Sequence, residues 1–401
     1  MRRADRPSAG IAAATPAAGE LRLLSVAAFA SMVSMRICDA LLPALARDFA
    51  ATTGHAAQAI SSFAIAYGVL QLVYGPLADR FGKFRVVSLA VLGCALANVA
   101  AALAPSLDWL LASRAATGAT AAAIIPLTMA WIGDAVPYDG RQEALARLLG
   151  ATVVGMITGQ WAGGLLADTL GWRTVFAALA VLFAGTGIAM RIAAGNMLAS
   201  GVHAVDAHVE TYVARLRSVL REPWARTILA LAFIEGGLGY SAFAFVPAYL
   251  HQRFDLAMTW AGAVLALYGV GGFAYTRLAR AMLRRWGEAG LAARGGALLG
   301  AALAALALAV HWPFTLPACF VGGFGFYMLH NTLQTHATQM APRARGTAVS
   351  LFACMLFLGQ SFGIVSAAWV VDHASTRMVF AGTAVALPLL ALWFARRVAC
   401  R

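Results

Sequence analysis

Charged residues are scarce in this sequence. Asp, Glu, Lys and Arg together make up 12% of its 401 residues, whereas 61% are hydrophobic. Soluble domains usually carry about 25% charged residues, because polar side chains must cover their surface. The scarcity of charge therefore excludes a soluble globule of this size and predicts a chain embedded in a lipid bilayer.

The sequence also lacks the signatures of several kinds of site. No GxxxxGK[ST] loop is present to bind a nucleotide phosphate, and no nucleophile is paired with a base. His330 and His336 lie on different faces of a helix and have no carboxylate nearby, so no metal site is predicted. Five cysteines lie in apolar stretches or at the chain end, where packing roles are expected: Cys38, Cys94, Cys319, Cys354 and Cys400. These absences argue against an enzyme and against a bound cofactor.

The first 20 residues lack the apolar core of a cleavable signal peptide. What the sequence has instead is a series of apolar stretches of about 20 residues, the length at which a helix crosses a bilayer. We predict an all-α membrane protein with twelve transmembrane helices, at residues 22–44, 56–78, 85–105, 108–132, 145–168, 173–194, 226–250, 258–279, 289–310, 313–339, 346–371 and 375–396.

Basic residues are distributed unevenly among the connections between these stretches. One alternate set is rich in Arg, as in Arg80–Arg85 and Arg215–Arg226, whereas the other set carries few basic residues. Because positive charge favours the cytoplasmic side of a membrane, both chain ends are predicted to be cytoplasmic. The net charge of +13 thus comes from the Arg-rich connections between helices, and no nucleic-acid partner is expected.

The two halves of the sequence repeat a pattern. Gly159–Gln160–x–x–Gly163 in the fifth predicted helix recurs as Gly359–Gln360–x–x–Gly363 in the eleventh. Since each half has an even number of spans, we expect two pseudo-symmetric six-helix bundles related by an axis along the membrane normal. A substrate site then belongs between the bundles, near the middle of the membrane.

The repeat continues past each of these helices, where Asp168 and Arg173 recur as Asp372 and Arg377. It indicates the organisation of the chain. We predict a cytoplasmic tail at 1–20, a first six-helix half at 21–194, a cytoplasmic linker with an amphipathic helix at 195–224, and a second six-helix half with a short basic tail at 225–401.

The loop between the second and third predicted helices reads Gly75–Pro–Leu–Ala–Asp79–Arg80–Phe–Gly82–Lys83–Phe–Arg85. It resembles the signature loop of the major facilitator superfamily, a family of transporters. The resemblance implies that Asp79 latches the two halves in one conformation, against the N-terminus of the eleventh helix near Arg345–Thr347. It also implies supporting roles for other residues of this loop and of the charge cluster after the fourth helix: Gly75, Arg80, Gly82, Lys83, Asp134 and Arg141.

Two further motifs are similar to those of the twelve-helix drug:proton antiporter branch of this superfamily. Leu110–x–x–x–Arg114–x–x–x–Gly118 is similar to its fourth-helix motif, with Thr117 where Gln is usual. Gly155–x–x–x–Gly159–Gln160–x–x–Gly163–Gly164 is similar to its fifth-helix motif, in which Gln160 replaces a proline that would kink the helix. The glycines are expected to permit close helix packing and to seal the path against a proton leak.

The resemblance implies a monomeric transporter of the bacterial inner (cytoplasmic) membrane that works by alternating access. It would export a small organic molecule or drug in exchange for protons, with no cofactor. Two alternatives stay open at this stage. One is proton-coupled uptake of an organic anion, with Arg36 and Arg114 binding a carboxylate, and the other is a membrane sensor that transports nothing.

Ionisable residues inside a membrane are costly and usually functional. Arg36 and Asp39 are three residues apart and share a helix face. Asp39 also precedes Pro43 by four residues, as the membrane acid of the antiporter branch does. Arg114 enters the membrane from the same side, so an Arg36–Asp39–Arg114 cluster is predicted. Asp39 is the candidate for binding the coupling proton, and the alternative is a permanent salt bridge.

Glu235 lies near the middle of the seventh predicted helix, without a basic partner on that helix. It is a candidate second proton site or an anchor for a cationic substrate, and the alternative is a carboxyl satisfied by hydrogen bonds. On the tenth predicted helix, His330, Asn331 and Gln334 form a polar stripe expected to line the cavity, although His330 could instead be a packing residue. Further cavity residues are expected at four positions: Tyr67, Gln71, Gln160 and Gln360.

Overall fold

The computed structural model describes residues 16–195 and 209–400, and within these residues every regular element is helical. The predicted tail up to residue 15 and the first part of the predicted linker, residues 196–208, lie outside the described residues. The α-helices are α1 Pro16–Arg36, α2 Leu42–Asp48, α3 Thr53–Phe81, α4 Lys83–Ala102, α5 Leu107–Ala121, α6 Ile124–Ala135, α7 Tyr138–Thr169, α8 Trp172–Gly195, α9 Val209–Arg221, α10 Pro223–Ala244, α11 Val246–Phe254, α12 Met258–Leu308, α13 Thr315–Gln339, α14 Arg345–His373 and α15 Thr376–Ala399.

In the described part of the chain, 11 helical segments are long and apolar enough to cross a membrane. The longest, α12, has 51 residues. At 1.5 Å per residue it is roughly 75 Å long, more than twice the thickness of a hydrocarbon core. Gly287 interrupts α12 with φ 65° and ψ 177°, a conformation that any side chain would strain. The chain therefore turns at Gly287, and α12 contributes two spans, which gives the predicted twelve.

Two prolines mark breaks in corresponding spans of the two halves. Pro43 lies at the start of α2 and Pro247 at the start of α11, where a missing N–H removes no helical hydrogen bond. In the first half, the short 3₁₀ helix Ile37–Ala40 joins α1 to α2, and all four of its residues are buried. This irregular turn carries Asp39, so the break presents an acidic side chain inside the bundle.

Within the first half, α7 packs so closely against α1 that the contact requires glycine. A Cβ atom on Gly159 would lie 2.7 Å from the carbonyl oxygen of Val33, Gly155 faces α1 in the same way, and Gly163 faces Ile37 just after α1. In the second half, a Cβ atom on Gly359 of α14 would overlap the carbonyl oxygen of Phe233 on α10. The glycine motif thus brings two helix backbones together. α7 itself runs from Tyr138 to Thr169 as one helix, with Gln160 at the position where the antiporter branch has a proline.

Replacing Gly159 by Ala should push α1 and α7 apart. Overpacking of this kind costs about 1–3 kcal/mol, so we expect the solubilised protein to melt a few degrees lower. Gly150→Ala on the same helix is the matched control, because nothing lies within 4 Å of a Cβ atom there. Melting curves followed by tryptophan fluorescence would contradict this packing argument if the two variants were equally stable.

The described part of the predicted linker forms an amphipathic helix, α9, that lies against α10 and α14 of the second half. Its Tyr212 hydroxyl donates a hydrogen bond of 2.7 Å to the carbonyl oxygen of Leu72 on α3, in the first half. That carbonyl lacks its helical partner because Pro76, four residues later, has no N–H. The linker helix therefore contacts both halves. It packs on the second half and binds the first half through a carbonyl group that Pro76 leaves without a helical partner.

Successive spans alternate in direction, so the bundle has two distinct faces. One face holds the start of α1, the end of α15 and the basic loops, including Arg80–Arg85 and Arg343–Arg345. We refer to it as the Arg-rich face. The opposite face holds the turns that precede α3 and α12 and the turns that follow α7 and α14.

Candidate functional site

A cavity of about 330 Å³ lies between the two halves. The first half contributes residues of α1 and α7, and the second half contributes residues of α10, α12 and α13. His330, Asn331 and Gln334, the predicted polar stripe, line this cavity. The other lining residues are mostly aromatic, aliphatic or sulfur-containing: Met32, Leu149, Thr152, Val153, Met156, Tyr240, Gly272, Phe273, Thr276 and Tyr327. None of the lining residues carries a carboxylate, ammonium or guanidinium group.

The other four predicted cavity residues lie outside this lining. Tyr67 is buried and packs edge-on against Phe357 of the second half, with the ring centroids 4.7 Å apart. The backbone of Gln160 lies against α12, where a Cβ atom on Gly262 would overlap the Gln160 carbonyl oxygen. The side-chain carbonyl oxygens of Gln71, Gln160 and Gln360 are buried and accept no hydrogen bond from the residues described. At Tyr67 and Gln160 the two halves of the molecule are in contact, so these positions leave no room for the cavity.

Arg36 and Asp39 form a buried ion pair. Arg36 Nη1 lies 3.5 Å from Asp39 Oδ2, and the two side chains are 5% and 1% exposed. The guanidinium of Arg36 also lies 4.5 Å from the centroid of the Tyr240 ring, which belongs to the second half and lines the cavity. Asp39 Oδ1 and Arg36 Nε have no hydrogen-bond partner among the described residues. Asp39 is thus held close to the cavity wall by a partner that satisfies only one of its oxygens.

Arg114 forms no direct ion pair with Asp39, although the two charges interact electrostatically, so the three-member cluster stays a prediction. Its guanidinium donates to the carbonyl oxygen of Ser34 at 2.8 Å and to the Ser34 hydroxyl at 3.3 Å, and its Nε lies 3.4 Å from the carbonyl oxygen of Ala59. The side chain is fully buried over the ring of Phe63. α1 ends at Arg36, and the carbonyls of a last helical turn need donors from elsewhere. Arg114 supplies these donors, so it joins α5 to α1 and α3, and Arg36 is the ion-pair partner of Asp39.

Glu235 has a partner that its own helix does not contain. Its Oε2 lies 3.0 Å from His330 Nδ1, across the interface between α10 and α13. Glu235 is fully buried, its Oε1 has no hydrogen-bond partner among the described residues, and the His330 side chain is 12% exposed. The imidazole also stacks on Phe326 with ring centroids 5.3 Å apart. His330 therefore stands between the buried carboxyl and the cavity.

The predicted latch is not engaged in this structure. Asp79 is exposed at the Arg-rich face and forms no hydrogen bond or ion pair with another described residue. Lys83 pairs instead with Asp134, and Arg141 Nε donates to the carbonyl oxygen of Val136 at 2.9 Å. All of these contacts lie within the first half. Gly82 allows the sharp turn between α3 and α4, since its φ is 87°, and nothing lies within 4 Å of a Cβ atom on Gly75.

Sequence reasoning missed three aromatic residues of the cavity wall. Tyr240, Phe273 and Tyr327 line the cavity, and none of them belongs to a recognisable motif. Tyr327 precedes His330 by three residues, so helical spacing from the polar stripe would have marked it. Tyr240 carries no comparable signal, because its contact with Arg36 joins two different halves of the chain.

A cavity between two pseudo-symmetric bundles agrees with the comparison of sequences. Residues 24–364 match the Major Facilitator Superfamily. The chain belongs to this superfamily. It is therefore a multi-pass membrane transporter for a small-molecule substrate and not an enzyme.

Relatives with known names include drug-resistance proteins. The chloramphenicol resistance protein of Streptomyces lividans is 28% identical over 358 residues, which cover 88% of this chain and 90% of the relative. The puromycin resistance protein pur8 of Streptomyces alboniger is 33% identical over 133 residues, 33% of this chain and 26% of the relative. These matches place the chain among superfamily members named for resistance to small organic compounds.

Solved structures share the fold. A crystal structure of the nucleoside transporter NupG, determined on a mutant of that protein, superposes with a TM-score of 0.78 at 14% identity, covering 93% of this chain and 98% of NupG. This likeness confirms the predicted fold class of two six-helix bundles.

Proposed function

We propose that this transporter exports a small organic molecule from the cytoplasm in exchange for protons, by alternating access. The observation that carries the proposal is the position of two buried carboxyl groups beside one cavity between the halves. Asp39 reaches the cavity wall through Arg36 and Tyr240, and Glu235 reaches it through His330. Carboxyl groups buried in a membrane are the usual carriers of coupling protons.

In the proposed orientation the cavity of the bundle faces the cytoplasm. The excess of Arg assigns the Arg-rich face to the cytoplasm, with both chain ends there, in the cytoplasmic membrane of a bacterium. The cavity is lined by Gln334, five residues before the end of α13 at that face, and by Leu149, early in α7. The halves touch at the opposite face through α3 with α14 and α7 with α12. An exporter loads its substrate in this arrangement and an importer releases its substrate in it, so the drug-resistance relatives carry the proposal of export.

Asp39 would couple the proton to the substrate through its ion pair. When the carboxylate is ionised it holds Arg36, and a proton arriving from outside neutralises it and frees the guanidinium. The freed cation would keep its contact with the Tyr240 ring and lose its counter-ion, which changes the charge beside the cavity wall that the substrate contacts. Release of the proton to the cytoplasm restores the ion pair and completes the exchange.

The lining of the cavity favours a neutral aromatic substrate with amide or hydroxyl groups. Tyr240, Tyr327 and Phe273 offer ring faces, whereas Asn331 and Gln334 offer hydrogen bonds. The names of the drug-resistance relatives agree with export of such a compound. Uptake of an organic anion is less well supported, because Arg114 already binds the backbone of α1 and Arg36 already binds Asp39.

Everted membrane vesicles provide the test. With their lumen acidified by ATP hydrolysis, addition of chloramphenicol or a related neutral aromatic antibiotic should raise the luminal pH as protons leave in exchange. Vesicles without the protein are the control. A substrate that acidified the lumen further would indicate uptake with protons. In cells, drug accumulation unaffected by both the protein and a protonophore across the whole panel would contradict transport of this class.

A further inference from the structure

The repeated aspartates, Asp168 and Asp372, have no part in the proposed coupling. Each follows the glycine motif of its half and lies near the C-terminus of its helix, α7 or α14, at the opposite face. Both side chains are exposed, yet each makes more than one hydrogen bond to the other half of the molecule. The role of these contacts rests on the alternating access proposed above.

Asp168 of the first half caps the N-terminus of α12 in the second half. Its Oδ2 accepts hydrogen bonds from the backbone N–H and the hydroxyl of Thr259, both at 2.7 Å. Its Oδ1 lies 3.3 Å from the backbone nitrogen of Met258. The first N–H groups of a helix have no partner within the helix, and they favour a negative charge. Asp168 thus accepts, from the other bundle, the hydrogen bonds that the side chain of an N-cap residue usually accepts at the start of its own helix.

Asp372 of the second half makes the matching contact with α3 in the first half. Its Oδ1 accepts from the backbone N–H of Gly54 at 3.0 Å, and its Oδ2 accepts from the Thr52 hydroxyl at 2.7 Å. Glycine is required beside it, because a Cβ atom on Gly54 would overlap the Asp372 carboxylate. In both contacts a carboxylate after the glycine motif binds a Thr hydroxyl and a backbone N–H at the start of the second helix of the other half.

The arginines of the same repeat behave differently. Arg173 binds Asp48 at 2.6 Å and the carbonyl oxygen of Ala104, all within the first half. Arg377 donates to the carbonyl oxygen of Ala309 at 3.3 Å, within the second half. The arginines therefore hold each bundle together, whereas the aspartates join one bundle to the other.

We propose that Asp168 and Asp372 are a two-fold latch that keeps the opposite face closed while the cavity faces the cytoplasm. The halves cannot separate at this face without breaking both caps. Because the carboxylates are at the water-exposed edge, water can replace each partner when a cap opens, so the latch is reversible. Its strength sets how often the outer face opens.

The test measures the opening of the outer face directly. Nitroxide labels on Leu103→Cys and Val310→Cys report the distance between the two halves, since both positions are exposed at the opposite face, one in each half. Cys400→Ala removes the exposed native cysteine, and the other four cysteines are buried. Pulsed dipolar spectroscopy on the full chain in nanodiscs, without substrate or a pH gradient, gives the ratio of open to closed molecules.

Loss of one cap should raise the open-to-closed ratio roughly three- to tenfold, and Asp168→Ala with Asp372→Ala should raise it by roughly the product of the two. Thr259→Val, which removes only a hydroxyl partner, should give a smaller shift in the same direction, and it remains informative if the double variant fails to fold. Asp108→Ala is the matched control, because Asp108 is an exposed acid in the first turn of α5 at the same face.

Distances identical to those of the native chain in Thr259→Val and in both Asp variants would overturn the latch. The proposed function is judged separately, by proton exchange in vesicles. Shifted distances in a protein that exchanges no protons would support the latch and contradict the coupling. If the protein exchanges protons and the Asp variants keep the native distances, the coupling is supported and the latch is contradicted.

Discussion

Asp39→Asn should abolish uphill export while leaving the protein folded. The amide has nearly the same shape as the carboxyl group and can still accept a hydrogen bond from Arg36, but it cannot release a proton. We expect the drug gradient built by energised everted vesicles to fall at least about tenfold, toward the level of vesicles without the protein. Exchange of labelled for unlabelled drug should persist, because this exchange needs no release of a proton and Asp39 is not itself a lining residue.

Asp48→Asn is the control for this experiment. Asp48 follows Asp39 on the same span, but it lies at the opposite face, where hydrogen bonds from Arg173 and Trp172 lower the pKa of its carboxyl group. A carboxyl group with a lowered pKa stays ionised near neutral pH and carries no proton through the cycle. Asp48→Asn should therefore keep its coupling. If Asp39→Asn exported drug uphill with normal proton coupling, Asp39 would be a permanent structural partner of Arg36.

Hydropathy and charge in the sequence were sufficient to predict the fold. The spans follow from apolar length, and the two-bundle arrangement follows from the repeated glycine motif, because both properties are local. The described residues contain 11 membrane-length segments and not twelve because α12 contains two spans, which meet at Gly287.

The site was predictable only where partners are close in the sequence. Arg36 and Asp39 are three residues apart, and helical spacing alone brings them together. Glu235 and His330 are 95 residues apart, and their contact depends on how α10 packs against α13. For the same reason the hydrogen bonds from Arg114 to Ser34 were not predicted, because Ser34 lies on a different helix, 80 residues away. The aspartates at 168 and 372 were visible as a repeat, but their partners belong to the other half.

Glu235→Gln should slow proton-coupled export at least about tenfold and flatten its dependence on pH. The amide can keep a hydrogen bond to His330 Nδ1, so the side chain stays in place while its charge and its proton are lost. A carboxyl group that merely anchors a cationic substrate would behave differently. Its loss would weaken the transport of cationic drugs alone and leave neutral drugs and the pH profile unchanged.

His330 and Gln334 separate the two roles further. Both line the cavity from α13, but only His330 contacts Glu235. If protons reach Glu235 through the imidazole, His330→Gln should reproduce the flattened pH profile of Glu235→Gln, because Gln can hydrogen-bond but cannot titrate. Gln334→Ala should raise the KM for the drug and leave the pH profile native. Equal pH profiles for all three variants and the native chain would exclude the Glu235–His330 pair from proton movement and leave Asp39 as the one acid on which coupling depends.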